Sequence, residues 1–413
     1  MSQNEIYTYH LPNGLTLVAE PIGGIRSASF QFLIPAGSAT DPDGREGAST
    51  VLDGLSYRGA GGKDTRGLSD ALDSLGLQRS GGAEVEYTSF GGALLADDLV
   101  RALELYADIL RRPALPASEF EQERELAYQR LDRLEDSPAE KLFVELRRTY
   151  FPGPYGRTPL GTREGLAALS AETIPQEHAR RYRPHGAILS VTGAFHWEEL
   201  RQAVERLFGD WEGAAPAPPP PSTKGRAGYR HVPQETSQEQ IGVAYPTAGL
   251  GAEGYYEARM AVEVLSGGMA ARLFTEVREK RGLAYSVRAV QQSVKGAGFI
   301  LAYAGTTPER CKETVDVLVG ELRRIAEGVT DEELARARTG LLSALIMQGE
   351  STRARANALG RDQYLLGRVR SLNEIRRAVE QVTTESIYLY LRDHPPADFT
   401  VVTLGPRELE VPA

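Results

Sequence analysis

The chain has 413 residues, 41% of them hydrophobic and 25% charged, a balance that supports packed cores and excludes disorder as its ground state. With 47 Lys and Arg against 56 Asp and Glu it carries a net charge of −9, which argues against general nucleic-acid binding, because phosphate neutralisation needs a basic surface. The lone cysteine, Cys311, excludes a disulfide framework and a cysteine-based zinc site within one chain, and no apolar run approaches membrane-spanning length.

The opening stretch, MSQNEIYTYHLPNG, shows neither a basic n-region nor an apolar h-region, so a cytoplasmic protein is expected. Residues 6–20 read as a hairpin turned at Pro12-Asn13-Gly14. Residues 28–34 (ASFQFLI) form a third strand, and 41–47 a polar loop. A helix over 48–57 follows, with Val51, Leu52 and Leu55 on one side. Residues 68–75 read as a short helix stopped by Gly76, and 81–96 (GGAEVEYTSFGGALLA) as glycine-led extended chain. Residues 99–110 are amphipathic and helical, broken by Pro113 and Pro116. Residues 118–134 form a long charged helix, with Ser118 as N-cap and Glu121 completing a capping box. Residues 150–162 (YFPGPYGRTPLGT) are a Pro/Gly loop. Residues 182–195 read as a strand and 198–207 as a helix. The run AAPAPPPPS at 214–222 is the clearest linker, a polyproline spacer of about 3.1 Å per residue.

Beyond the linker the pattern restarts. The strand at 241–245 followed by Pro246 mirrors the strand ending at Pro35. Residues 309–325 echo the helix at 98–110, and TDEELARAR at 330–338 echoes SEFEQER at 118–124. The expectation is an α+β fold of two homologous α/β lobes, each a mostly antiparallel sheet backed by helices. The lobes cover 1–212 and 227–413, with a linker at 213–226, and face each other as a clamshell. A cleft between lobes is a favoured place for a ligand.

The most informative stretch is GGMAARLFTEVREKRGLAYSV, residues 267–287. It predicts a helix over 269–280, a stop at Gly282, and a strand in which Leu283, Tyr285 and Val287 alternate. Arg278 and Tyr285 are then a guanidinium and a phenol able to approach one cleft. Both can hydrogen-bond a peptide carbonyl, and do so better as its oxygen gains negative charge.

This stretch resembles the R…Y segment of the inverzincin metallopeptidases, the family of pitrilysin, insulin-degrading enzyme and the mitochondrial processing peptidase subunits. The YRP…G strand and the PYGRTPLGT loop carry the same resemblance. In that family a helix bearing H-x-x-E-H supplies two zinc ligands and a general base. Here the matching segment is GASTVLDGLSYRG, with Thr50 and Gly54 at the histidine positions and Asp53 at the base. The third ligand, a Glu in the family, falls on Arg130. The six histidines include no pair at three- to five-residue spacing, so no metal ligand is assigned in this chain.

The resemblance implies a non-catalytic, substrate-binding subunit of a heterodimeric zinc metallopeptidase, inactive on its own. A partner with H-x-x-E-H would bring zinc, and this chain would bring Arg278 and Tyr285 to peptide or unfolded-protein substrates. It also implies an open sheet edge that pairs with substrate backbone, contacted through Glu86, Tyr87 and Thr88. The alternative is an inactive peptide-holding or scaffold subunit, as a homodimer or within a larger complex.

Overall fold

The structure, a computed structural model, describes residues 5–216, 220 and 225–409. Of the expected linker, residues 217–219 and 221–224 lie outside the described residues. The helices in chain order are α1 (Ala48–Ser56), α2 (Thr65–Asp73), α3 (Leu99–Arg111), α4 (Phe120–Glu135), α5 (Pro138–Tyr150), α6 (Arg163–Ala167), α7 (Ile174–Arg181), α8 (Trp197–Phe208), α9 (Tyr255–Ser266), α10 (Cys311–Arg324), α11 (Asp331–Glu350), α12 (Thr352–Leu366), α13 (Leu372–Gln381) and α14 (Thr384–Asp393).

Two compact units form, and neither follows chain order. The first comprises Met1–Arg133, Arg157–Pro219 and Gln348–Ser371. Its six strands are β1 (Tyr7–His10), β2 (Thr16–Pro21), β3 (Ser27–Ile34), β4 (Gln78–Ala83), β5 (Thr88–Leu95) and β6 (Ile188–Gly193). They lie in the order β1-β2-β6-β3-β5-β4, antiparallel except for β2 beside β6. The first hairpin forms where the turn signal places it: Tyr7 pairs with Ala19 across Gly14, whose positive φ of 91° needs glycine. Asn13 ties that turn down by donating to the carbonyls of Phe208 and Trp211 at the end of α8. The core gathers the alternate apolar residues of the sheet, Phe30, Phe32 and Phe90 among them, against α1 and α3.

The second unit comprises Leu134–Gly156, Pro220–Met347 and Leu372–Ala413. Its strands are β7 (Gly228–Pro233), β8 (Glu239–Thr247), β9 (Ser286–Val294), β10 (Ala297–Thr306) and β11 (Thr400–Gly405), in the order β7-β11-β8-β10-β9. The only parallel pair among them is β7 with β11. This is the order and sense of β2-β6-β3-β5-β4, so the repeat in the sequence is a repeat of topology.

The contiguous lobes expected over 1–212 and 227–413 do not coincide with these units, because each half of the chain contributes a helix to the other half's sheet. Helix α5, from the first half, lies on β8 and β11. Helix α12, from the second half, lies on β3 and β6. The α5 seam is apolar, through Leu142, Leu146 and Tyr150. Gly242 makes room for it: a Cβ there would stand 3.0 Å from Leu146 Cδ2. The α12 seam adds polar ties to an apolar cluster of Leu33, Ile188 and Tyr364. Thr352 bonds Ser29 Oγ at 2.8 Å, its carbonyl accepts from Thr192 Oγ1 at 2.6 Å, and buried Arg355 pairs with buried Glu20 at 2.5 Å.

Three local expectations are corrected. The extended chain at 81–96 is a hairpin whose turn spans 84–87, because Glu84 N–H donates to the Tyr87 carbonyl and closes it. Ser118 is not an N-cap but sits inside a 3-10 turn, Ala117–Glu119, ahead of α4. The helix expected over 269–280 contains a π-turn, Phe274–Glu279, in which Lys280 N–H reaches the Thr275 carbonyl.

Candidate functional site

The helix that should carry zinc ligands is held at its start by Asp41. Its carboxylate accepts the N–H groups of Gly47 and Ser49 at 2.9 and 3.0 Å, and its charge is met by buried Arg181 at 2.9 Å. α1 therefore presents Thr50, Asp53 and Gly54 as the sequence register places them. Their chemistry does not suit zinc. Thr50 Oγ1 donates to the Pro159 carbonyl at 2.5 Å. Gly54 offers no donor atom, and the space beside it is taken: a Cβ there would stand 2.1 Å from Glu123 Oε2. Buried Glu123 is itself engaged by Arg58, whose Nε donates to Oε1 at 2.5 Å, and Arg58 also reaches Glu119 at 3.7 Å. Asp53 lies among charges of both signs. Burial pushes its carboxyl up to about 7, Arg130 opposes that and Glu123 adds to it. Among the described residues no group of three or more His, Cys, Asp or Glu is arranged to hold a metal. A guanidinium–carboxylate pair, Arg58 with Glu123, occupies the ground beside α1, and the residues present do not fit zinc.

The face of α4 that carries Arg130 lies against α1, because Glu123 on that face fills the space beside Gly54 and pairs with Arg58. The Arg58–Glu123 pair was not singled out by sequence. A signal existed: Glu123 lies two turns before Arg130 on α4, which places both on one helix face.

The residues expected to pair with substrate are not at the sheet edge. Thr88 begins the inner strand β5, is fully buried, and donates to the Ala36 carbonyl at 2.9 Å. Glu86 is buried in the turn, where Tyr364 OH reaches it at 3.4 Å, and the Tyr87 ring packs edge-on against Tyr364. The outer strands of this sheet are β1 and β4, and β4 is the one beside this hairpin. Its Gly81 and Gly82 have φ of 133° and 143°, which only glycine adopts without strain, and Gly82 has nothing within 4 Å of where a Cβ would stand.

In the second unit Arg278 and Tyr285 do come together. Three residues past the π-turn stands Gly282, whose left-handed φ of 58° lets its N–H close on the Arg278 carbonyl at 2.9 Å. The chain then doubles back, so Arg278 Nη1 donates to the Tyr285 carbonyl at 3.0 Å. The guanidinium carbon sits 4.7 Å from the Tyr285 ring centroid and 4.8 Å from that of Phe274, a cation held between two aromatic faces. Tyr285 is 81% exposed and Arg278 partly exposed, which leaves the phenol and guanidinium open to a ligand. Glu276, two residues before Arg278, accepts from Lys280 and Arg281 at 2.7 and 2.6 Å; those bonds hold its carboxyl down at about 2 and brace the turn that carries Arg278.

Duplicated α/β units, a degenerate H-x-x-E-H helix and an assembled R…Y pair define a zinc-peptidase-like protein. Residues 21–163 match the family described as Insulinase (Peptidase family M16), and residues 168–341 match the Peptidase M16 inactive domain. The chain belongs to the M16 peptidase family.

The chain is 29% identical over 394 residues to an uncharacterized zinc protease of Streptomyces coelicolor, covering 93% of this chain and 86% of that one. It is 26% identical over 405 residues to one of Bacillus subtilis, covering 97% and 98%. In fold it is similar to a peptidase M16 inactive domain from Pseudomonas fluorescens, with a TM-score of 0.90 at 20% identity over 99% and 100% of the two chains. A protease from Helicobacter pylori gives 0.88 at 19% over 98% and 100%. Among the described residues no helix is long and apolar enough to cross a membrane.

Proposed function

We propose that this chain is the non-catalytic, substrate-binding subunit of a cytoplasmic heterodimeric zinc metallopeptidase. A partner subunit carries H-x-x-E-H and the zinc, and this chain supplies Arg278 and Tyr285. One contrast carries the reading: the space beside Gly54 is filled by Glu123, whereas Arg278 and Tyr285 are intact and side by side. In this role the two side chains donate to the carbonyl oxygen of a bound peptide and favour it as negative charge develops. The β4 edge of the first unit is an open edge to which extended peptide backbone can add as a strand.

The test is native mass spectrometry of the complex recovered from its own cells, with zinc counted in the same spectrum. One copy of this chain with one H-x-x-E-H subunit and one zinc supports the reading, and a zinc-free homodimer or monomer overturns it. A second reading, a peptide-holding or scaffold subunit without a catalytic partner, draws on the stack itself: Arg278 is already satisfied by the Tyr285 carbonyl and two rings.

A further inference from the structure

The β4 edge of the first unit carries a charge pattern that the proposed peptide-holding role leaves unexplained. Side chains of β4 alternate between the two faces of the sheet. On the α1 face, exposed Arg79 lies over the Tyr57 ring, 5.7 Å from its centroid. On that same side stands Arg130 of α4, exposed, and among the described residues without a hydrogen bond or ion pair. The acidic residues nearby do not cancel these two cations. Glu119 and Glu123 are engaged by Arg58. Asp53, the carboxylate beside Arg130, is half-buried, and desolvation pushes its carboxyl up to about 7, which weakens its negative charge. At the other face Arg353 donates to the carbonyl of Gln78, fixing one end of β4. Gly81 and Gly82 carry no side chain, so another backbone can approach closely there. Exposed Glu84, in the hairpin turn, marks the end of the cationic stretch.

We infer that the β4 edge, with Arg79 and Arg130 on one face, selects extended peptide segments that carry acidic side chains at every second position. A strand added along β4 turns alternate side chains toward the α1 face, and two cations that no carboxylate pairs within ion-pair distance among the described residues meet them there. The inference rests on the peptide-holding reading above and names the substrate class.

The experiment uses the purified full chain and three labelled, unstructured peptides of equal length, read by fluorescence anisotropy at low salt. One has neutral polar residues throughout, one has Glu at alternate positions and one has Lys at those positions. The acidic peptide should bind about tenfold more tightly than the neutral one, from two surface charge pairs, and the advantage should shrink at high salt. The double variant Arg79→Glu/Arg130→Glu should invert the order, with the basic peptide tightest. Arg79→Gln/Arg130→Gln should abolish the discrimination. Equal binding of all three peptides by the wild-type chain, or an acidic preference that survives charge reversal, overturns this inference alone. Binding of none overturns the peptide-holding reading and this inference with it.

Discussion

Arg278 lies over the Tyr285 ring: the guanidinium carbon is 4.7 Å from the ring centroid, while Nη1 donates to the same residue's carbonyl at 3.0 Å. The two residues form one unit, and removing either disturbs the other. Arg278→Ala or Tyr285→Phe should lower turnover of the assembled peptidase by about tenfold to a thousandfold, the range for lost oxyanion donors. The pair is solvent-facing, so the thermal midpoint should barely move. Steady-state kinetics on the reconstituted complex decide it, and unchanged activity in both variants sinks the role.

Gly54 and Glu123 are a second coupled pair. Gly54→Ala gains helix propensity of about 1 kcal/mol but forces a methyl onto Glu123 Oε2, so a net loss of roughly 1–3 kcal/mol is expected. A double-mutant cycle with Glu123→Ala should show coupling of at least about 1 kcal/mol. Additive urea-denaturation energies would show that the space is not contested. For the same reason Thr50→His/Gly54→His should not recruit zinc while Glu123 and Arg58 remain, as calorimetric titration with zinc would reveal.

Asp53 gives stability a pH dependence. Burial raises its carboxyl from 3.8 to about 7. Between those values the folded chain holds a proton that the unfolded chain has released. Its contribution to stability therefore falls as pH rises through that window and levels off above it. Asp53→Asn should flatten the slope and stabilise the protein at pH 8 by on the order of 1–3 kcal/mol. Denaturation curves at pH 5 and pH 8 test this, and an undiminished slope in the variant would contradict it.

Helix α12 is fastened through a buried pair, Arg355 with Glu20. Arg355→Ala strands a buried carboxylate and should cost about 3–5 kcal/mol, more than a typical surface change. Hydrogen exchange should report the loss first in residues 352–366. Protection there equal to wild type would mean that the pair does not hold the helix.

The sequence by itself determined the first hairpin, the strands at 28–34 and 241–245, half of the helices, the duplication, the R…Y pair and the loss of the zinc ligands. Each is written in short-range chemistry: the Asn13-Gly14 turn, the alternation along β3, Gly282 after Arg278, and Thr, Gly and Arg in place of His, His and Glu. Only the tertiary structure decided that α5 and α12 cross to the opposite sheets. An apolar or polar helix face shows that a partner surface exists, not which surface it is. The π-turn beneath Arg278 likewise depends on how the backbone closes at Lys280 and Gly282. That β4 rather than 86–88 is the open edge, and that Glu123 fills the space beside Gly54, are meetings of residues distant in the chain. Periodicity fixes what each element presents; packing fixes what it meets.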